Sequence, residues 1–183
     1  HLGNAIRFSE LEIRISGRQG QGVCGAKLEK NDYIVGGVAV PMKFDHDGDT
    51  VTSDKELTMM TLTNKGWGKR THVDEYLISP GDGSKLRQQS RGGKGRMDIN
   101  LDNKTGKSIG VIPLKNGKDI VVITKQGQMV RVSADTIRVM NRGTNGSKLI
   151  KLTDGDEVVA ASPVAQEIVE VSEIIEEPSL VNT

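Results

Sequence analysis

Short β-branched runs broken by glycine-bearing turns recur along most of the chain. The clearest set ends near residue 161. Ile120 to Thr124 is a β-branched run, Lys125-Gln126-Gly127-Gln128 is a turn in which glycine supplies the unusual dihedral, and Met129 to Val132 returns. Lys148 to Leu152 predicts a third strand. Thr153-Asp154-Gly155-Asp156 is a strong turn signal, and Val158 to Ala161 predicts a fourth strand. No convincing helix pattern occurs before the last twenty residues.

The pattern repeats. Ala5 to Gly36 lies over Met129 to Ala160 without a gap, at an offset of 124. Ile6-Arg7-Phe8-Ser9 matches Val130-Arg131-Val132-Ser133, Ile13-Arg14-Ile15 matches Ile137-Arg138-Val139, and Asp32 matches Asp156. A third copy sits between them. Gly66, Arg70 and Tyr76 take the places of Gly3, Arg7 and Ile13, and Met59 to Thr63 matches Ile120 to Thr124. Four short strands in a unit of roughly 60 residues predict an all-β, propeller-like array of about three blades. A tandem of small barrels and a solenoid are the alternatives, and four strands per unit favours blades. The boundaries fall near residues 1–50, 51–113 and 114–163, with an acidic tail over 164–183.

Side chains alternate along a strand. Arg7 and Arg131 lie between apolar neighbours, as do Arg14 and Arg138, so parity predicts that all four face outward. A second cationic feature is the loop Arg-x-x-x-Gly, present in all three copies: Arg18 to Gly22, Arg91 to Gly95 and Arg142 to Gly146. Its glycines let backbone N–H groups approach an anion, and an arginine fork can grip phosphate oxygens in pairs. A tight turn serving geometry alone is the competing reading. The middle loop is the most basic, with Arg87, Arg91, Lys94 and Arg96 around three glycines and no carboxylate beside them in sequence. Gln89 within it and the neighbouring Lys69-Arg70 pair complete the candidate contacts to a nucleic-acid backbone.

Charge strengthens this picture. The net charge is +1, yet the five acids from Glu167 to Glu177 have no base among them, which leaves +6 on residues 1–163. A basic body with an acidic tail suggests a polyanion partner and an internal competitor for it, a solubilising tail being the alternative. Cys24 is the single cysteine, so no disulfide framework or thiolate metal cluster is expected, in keeping with a cytoplasmic setting. No apolar run suits a membrane span and no signal peptide opens the chain, which reads as a fragment of something longer. His1, His46 and His72 lack zinc spacing, and Asp45 to Asp49 lacks the glycine and glutamate of a calcium loop. Gly92 to Gly95 lacks the Walker spacing. Trp67 packs at a turn or stacks on a base. No nucleophile, base or metal constellation points to an enzyme, and two Phe, two Tyr and one Trp disfavour a protein-interaction propeller.

Gln89-Ser90-Arg91-Gly92-Gly93-Lys94-Gly95 differs at one position, Ser90, from Gln-Arg-Arg-Gly-Gly-Lys-Gly, the box of the DNA gyrase A subunits. Leu62 to Tyr76, Ile123 to Gly146 and Leu152 to Ala160 also resemble later blades of that family's C-terminal domain. The resemblance covers nearly all of residues 3–162. It implies a β-pinwheel, a six-bladed relative of the propeller whose rim bends DNA, of which about three four-stranded blades are present. It places the box in a later-type blade, as a degenerate repeat of the family's first-blade element. The partners it implies are double-stranded DNA, the gyrase B subunit, plus the remainder of the gyrase A subunit. The location it implies is nucleoid-associated. ATP and magnesium would be used in other domains, with no cofactor and no active site here. Tyr33 and Tyr76 do not resemble the cleavage tyrosine. The C-terminal domain of topoisomerase IV is the nearest alternative.

Overall fold

A computed structural model describes residues 1–44, 51–79, 81 and 86–164, with side chains of 42–44 and 51–53 left aside. The Asp45–Asp49 stretch and the Glu167–Glu177 tail lie outside the described residues. Eleven strands follow in chain order among those residues: β1 (Asn4–Ala5), β2 (Met42–Phe44), β3 (Val51–Ser53), β4 (Thr58–Thr63), β5 (Trp67–His72), β6 (Arg96–Met97), β7 (Ser108–Leu114), β8 (Asp119–Thr124), β9 (Met129–Ser133), β10 (Ser147–Lys148) and β11 (Val158–Pro163). Among the described residues no α-helix forms. Three 3-10 turns each start three residues after the repeated arginine, Arg7, Arg70 or Arg131, at Glu10–Glu12, Val73–Tyr76 and Ala134–Thr136. Ser9 and Ser133, matched by the repeat, cap two of them by accepting from Leu11 N–H and Asp135 N–H.

The sheets are antiparallel, with orders β10-β5-β4-β7, β11-β8-β9, β1-β6 and β2-β3. Hairpins β4-β5 and β8-β9 stand where the turn signals put them, and Gly66 and Gly127 sit at positive φ within those turns. One expectation is corrected. The strand after each glycine-cation loop does not complete its own unit. It crosses to the sheet before it: β6 pairs with β1, Met97 opposite Asn4, and β10 pairs with β5, Lys148 opposite Trp67. Four strands are therefore reached only in the middle sheet, whose outer strand is lent by the following copy. The third sheet has three.

The core lies between the second and third sheets. Met60, Leu62, Ile112 and Leu114 face Ile120, Val122, Ile137, Ile150 and Val158, all buried. Period-2 alternation puts Ile120 and Val122 inward on β8 while Val121 and Ile123 are half-covered on its other face. The opposite face of β4 is covered too. There Thr61 donates to Asp98 Oδ2 at 2.6 Å, Tyr76 donates its hydroxyl to Asp98 Oδ1 at 2.5 Å, and Lys69 Nζ lies 3.5 Å from that same oxygen. Burial, reinforced by the Asp98 carboxylate, holds the Tyr76 hydroxyl well above its ordinary range. Burial pushes the Lys69 ammonium down, and Asp98 pulls it back up.

Candidate nucleic-acid interface

The stacking of sheets decides which cations are free. Lys69 is fully buried and donates to the carbonyls of Asp98 at 2.5 Å and Asn141 at 2.9 Å. Arg70 is 5% exposed, with Nε on Ile137 O at 3.0 Å and Nη1 on Asn116 Oδ1 at 2.7 Å. Arg7 reaches Val73 O at 2.6 Å and Asp74 at 2.8 Å, its side chain only 9% exposed. The outward reading of Arg7 is therefore corrected, and Lys69 and Arg70, candidate contacts to a nucleic-acid backbone, are closed off from one. Parity separates two faces of a sheet, but in a stack both faces meet a neighbouring sheet. Arg131, their counterpart in the last copy, keeps its side chain 68% exposed and pairs with Asp119 at 2.6 Å.

The glycine-cation loops also work between sheets. Arg91 donates from Nε to Glu12 O at 3.0 Å and from Nη1 to Cys24 O at 3.1 Å, and its own N–H is accepted by Glu12 Oε2 at 2.9 Å. Arg142 repeats the second of these bonds on Met97 O at 3.1 Å. Arg96 donates to Leu77 O at 2.5 Å. Gln89 donates its N–H to Arg7 O at 3.1 Å and its amide to Tyr76 O at 3.4 Å. Lys94 and Glu29, both exposed, pair at 2.9 Å, which raises the lysine and lowers the carboxyl. The box thus has carboxylates in space that it lacks in sequence, from Glu12 and Glu29.

This arrangement sets a measurable contrast. Arg91→Ala removes two side-chain bonds across a sheet boundary, at about 0.5–1.5 kcal/mol each, and is expected to lower the midpoint of thermal unfolding. Lys94→Ala is expected to leave that midpoint unchanged, because exposed pairs contribute little. Differential scanning calorimetry on the two variants reads the difference.

A different set of cations remains open. Counting back four residues from Arg18, Arg91 and Arg142 reaches Arg14, Arg87 and Arg138, one per copy. All three side chains are exposed, and none has a partner among the described residues. Arg18 is exposed as well. Exposed Lys27 and Lys151 occupy matched positions at the offset of 124 and were not among the candidate site residues. Trp67 has Lys104 Nζ 4.9 Å from its ring centroid, so one ring face already carries a cation. Asp32 and Asp156 are a matched pair of another kind. Each carboxylate accepts two backbone N–H groups, Leu2 and Tyr33 in one case and Gln126 and Glu157 in the other. Although burial opposes it, hydrogen bonds hold both carboxyls below the usual range, from the Thr124 hydroxyl and these backbone groups at Asp156, and from these backbone groups and the amino terminus at Asp32. Among the described residues no cluster of metal-ligating side chains forms, and no helix is long and apolar enough to cross a membrane.

Comparison with known proteins agrees with the fold. The sequence matches the family described as DNA gyrase C-terminal domain, beta-propeller, over residues 1–41, 58–81, 82–115 and 118–165. It is 34% identical over 165 residues to the DNA gyrase A subunit of Aminobacterium colombiense, covering 90% of this chain and 17% of that protein. Against the DNA gyrase A subunit of Helicobacter pylori it is 34% identical over 168 residues, covering 91% and 18%. The chain therefore spans less than a fifth of the length of these relatives. Among solved structures, a DNA gyrase A C-terminal domain superposes with TM-score 0.67 at 23% identity, covering 90% of this chain and 48% of that one. The C-terminal domain of DNA topoisomerase IV superposes at 0.70 and 22%, covering 90% and 44%.

Proposed function

The chain belongs to the DNA gyrase C-terminal domain family, and from that premise we propose that it binds duplex DNA through Arg14, Arg87 and Arg138 and bends it, as the wrapping module of a gyrase A subunit. One observation carries this reading: the same exposed arginine, unpaired among the described residues, is reprinted once per copy. Arg18, Lys27 and Lys151 add exposed charge to that series, whereas Arg7, Lys69, Arg70, Arg91, Arg96 and Arg142 hold the sheets that present it. Guanidinium groups at repeated positions contact phosphates and leave the bases unread, so the module binds without strong sequence preference. Bending a 20–30 base-pair site smoothly costs on the order of 1–6 kcal/mol. Several cations acting together offset that cost, which a single exposed arginine does not.

In this reading the partners are DNA, the gyrase B subunit, plus the remainder of the gyrase A subunit, in the cytoplasm. ATP and magnesium act in other domains of the enzyme. The blades run near residues 1–50, 51–113 and 114–163. Relaxation of nicked circular DNA, religated with the chain bound, tests the proposal. Bending around a chiral rim is expected to leave a change in linking number that grows with protein and shrinks with salt. Binding without any topological change leaves a DNA-binding module that does not wrap.

A further inference from the structure

A glycine after an asparagine leaves its nitrogen open to attack the asparagine side chain, because no Cβ shields it. The pair occurs twice in the chain, at Asn116-Gly117 and Asn145-Gly146, in different surroundings. Asn116-Gly117 turns the chain from β7 into β8, and both residues are exposed. Gly117 has φ 68°, and a Cβ there would meet nothing within 4 Å. Asn145-Gly146 ends the third glycine-cation loop. There the side chain is held at both ends, its amide donating to Asp102 Oδ2 and its carbonyl accepting from Asn100, each at 3.3 Å. A Cβ at Gly146 would stand 2.7 Å from Gly68 O, so that backbone is packed against a neighbouring strand.

At Asn116 the groups that such an attack needs are already in place. Arg70 Nη1 donates to Asn116 Oδ1 at 2.7 Å. A cation therefore sits on the oxygen that gains negative charge when the amide carbon is attacked. The Gly117 N–H, which is the nucleophile, donates to Asp135 Oδ1 at 3.1 Å. A carboxylate is thus within reach of the proton that must leave. Both helpers are held from behind. Arg70 is 5% exposed, and its Nε is tied to Ile137 O at 3.0 Å. Asp135 lies in the 3-10 turn Ala134–Thr136, whose Ala134 N–H donates to Lys118 O at 2.8 Å, one residue from Gly117. Burial pushes the Arg70 guanidinium down and the Asp135 charge pulls it back up, so the two helpers also feel each other.

We infer that Asn116-Gly117 is a self-modification site, at which the folded chain converts its own asparagine to aspartate and isoaspartate. The Gly117 nitrogen bonds to Asn116 Cγ as its proton passes to Asp135. Arg70 holds the oxyanion of the tetrahedral adduct. The Cγ–Nδ2 bond then breaks, the proton on Asp135 goes to the leaving nitrogen, and ammonia departs from a five-membered succinimide. Water, which reaches this exposed turn, opens the ring at either carbonyl. One water is consumed and one ammonia released, with no change of oxidation state. The aspartate product gives the buried Arg70 guanidinium a carboxylate where it had an amide. The isoaspartate product adds a methylene to the backbone between β7 and β8. Both lower the net charge of +1 by one. They do so where the second sheet meets the third, beside the Arg70 N–H that donates to Arg138 O at 3.0 Å. The inference rests on the fold and is independent of DNA binding.

Incubation of the chain at neutral pH, read by peptide mass mapping and by isoaspartyl methyltransferase labelling, tests the site. In the folded chain Asn116 is expected to convert about tenfold faster than Asn145, the factor given by one charge-assisted hydrogen bond gained in the transition state. In urea both asparagines precede a glycine in an open chain, and their rates are expected to be similar. Asn116 is expected to convert at least as fast folded as in urea, and Asn145 more slowly. Asp135→Asn is expected to slow Asn116 about tenfold, with the rate at Asn145 and the circular-dichroism spectrum unchanged. Asn116→Gln supplies the blank for the peptide. Conversion at Asn116 no faster than at Asn145 in the folded chain, or slower folded than in urea, overturns the inference. A rate at Asn116 that Asp135→Asn leaves unchanged or raises overturns the part given to Asp135.

Discussion

Arg14→Ala/Arg87→Ala/Arg138→Ala is expected to weaken duplex binding about 500-fold at 0.1 M salt and to flatten the salt dependence by about 2.7. Both figures come from counterion release. Each phosphate neutralised contributes about −0.9 to the slope of log affinity against log salt. Three phosphates left without an arginine therefore remove about 2.7 from the slope, and one decade of salt below the 1 M reference converts that to the affinity change. The fold should be indifferent, because exposed positions without partners shift stability by about 0.5 kcal/mol or less, and these three side chains are exposed and unpartnered among the described residues. Titrating one labelled duplex over a salt series with both proteins gives slope and affinity together. An unchanged slope sinks the proposed interface. Arg91→Ala/Lys94→Ala is the informative companion. If the box were the main contact, that pair would show the larger loss of slope.

Asp98→Ala is expected to be the most destabilising single change, at about 3–5 kcal/mol, because it strands a buried ammonium. Asp98 is 2% exposed and Lys69 fully buried. The carboxylate also accepts from Thr61 and Tyr76, so one truncation leaves three groups short of a partner. The Lys69→Met/Asp98→Asn double variant should recover much of the loss, since neither charge of that pair then remains and the new amide oxygen still accepts from Tyr76. Urea unfolding of the three proteins decides it. A cost under about 1 kcal/mol for Asp98→Ala would mean that water reaches Lys69. Arg131→Ala, at an exposed pair with Asp119, should cost less than about 1 kcal/mol and serves as the surface reference.

Strands, turns and the repeat were legible in the sequence because each is a local signal. The β-branched run Ile120 to Thr124 with its glycine turn formed β8 and the start of β9, and Ser9 and Ser133 capped matched turns. The repeat also marked Arg14 and Arg138 as outward, and both are exposed. Much of the candidate site was not legible. Arg7 was assigned to the surface from its neighbours in sequence, Lys69 and Arg70 stood as candidate contacts, and Arg91 was read as a free cation because no acid stood near it in the chain. Its partners, Glu12 and Cys24, lie 79 and 67 residues away.

The division has one physical cause. Alternation along a strand and dihedral needs at a turn depend on residues a few positions apart, so the chain alone determined its elements, its repeat and its all-β class. Whether a cation meets water depends on what covers the face it occupies. In this array the cover comes from the next copy, through β6 on β1 and β10 on β5. Only the tertiary structure could therefore separate arginines that join the sheets from arginines left to bind a polyanion.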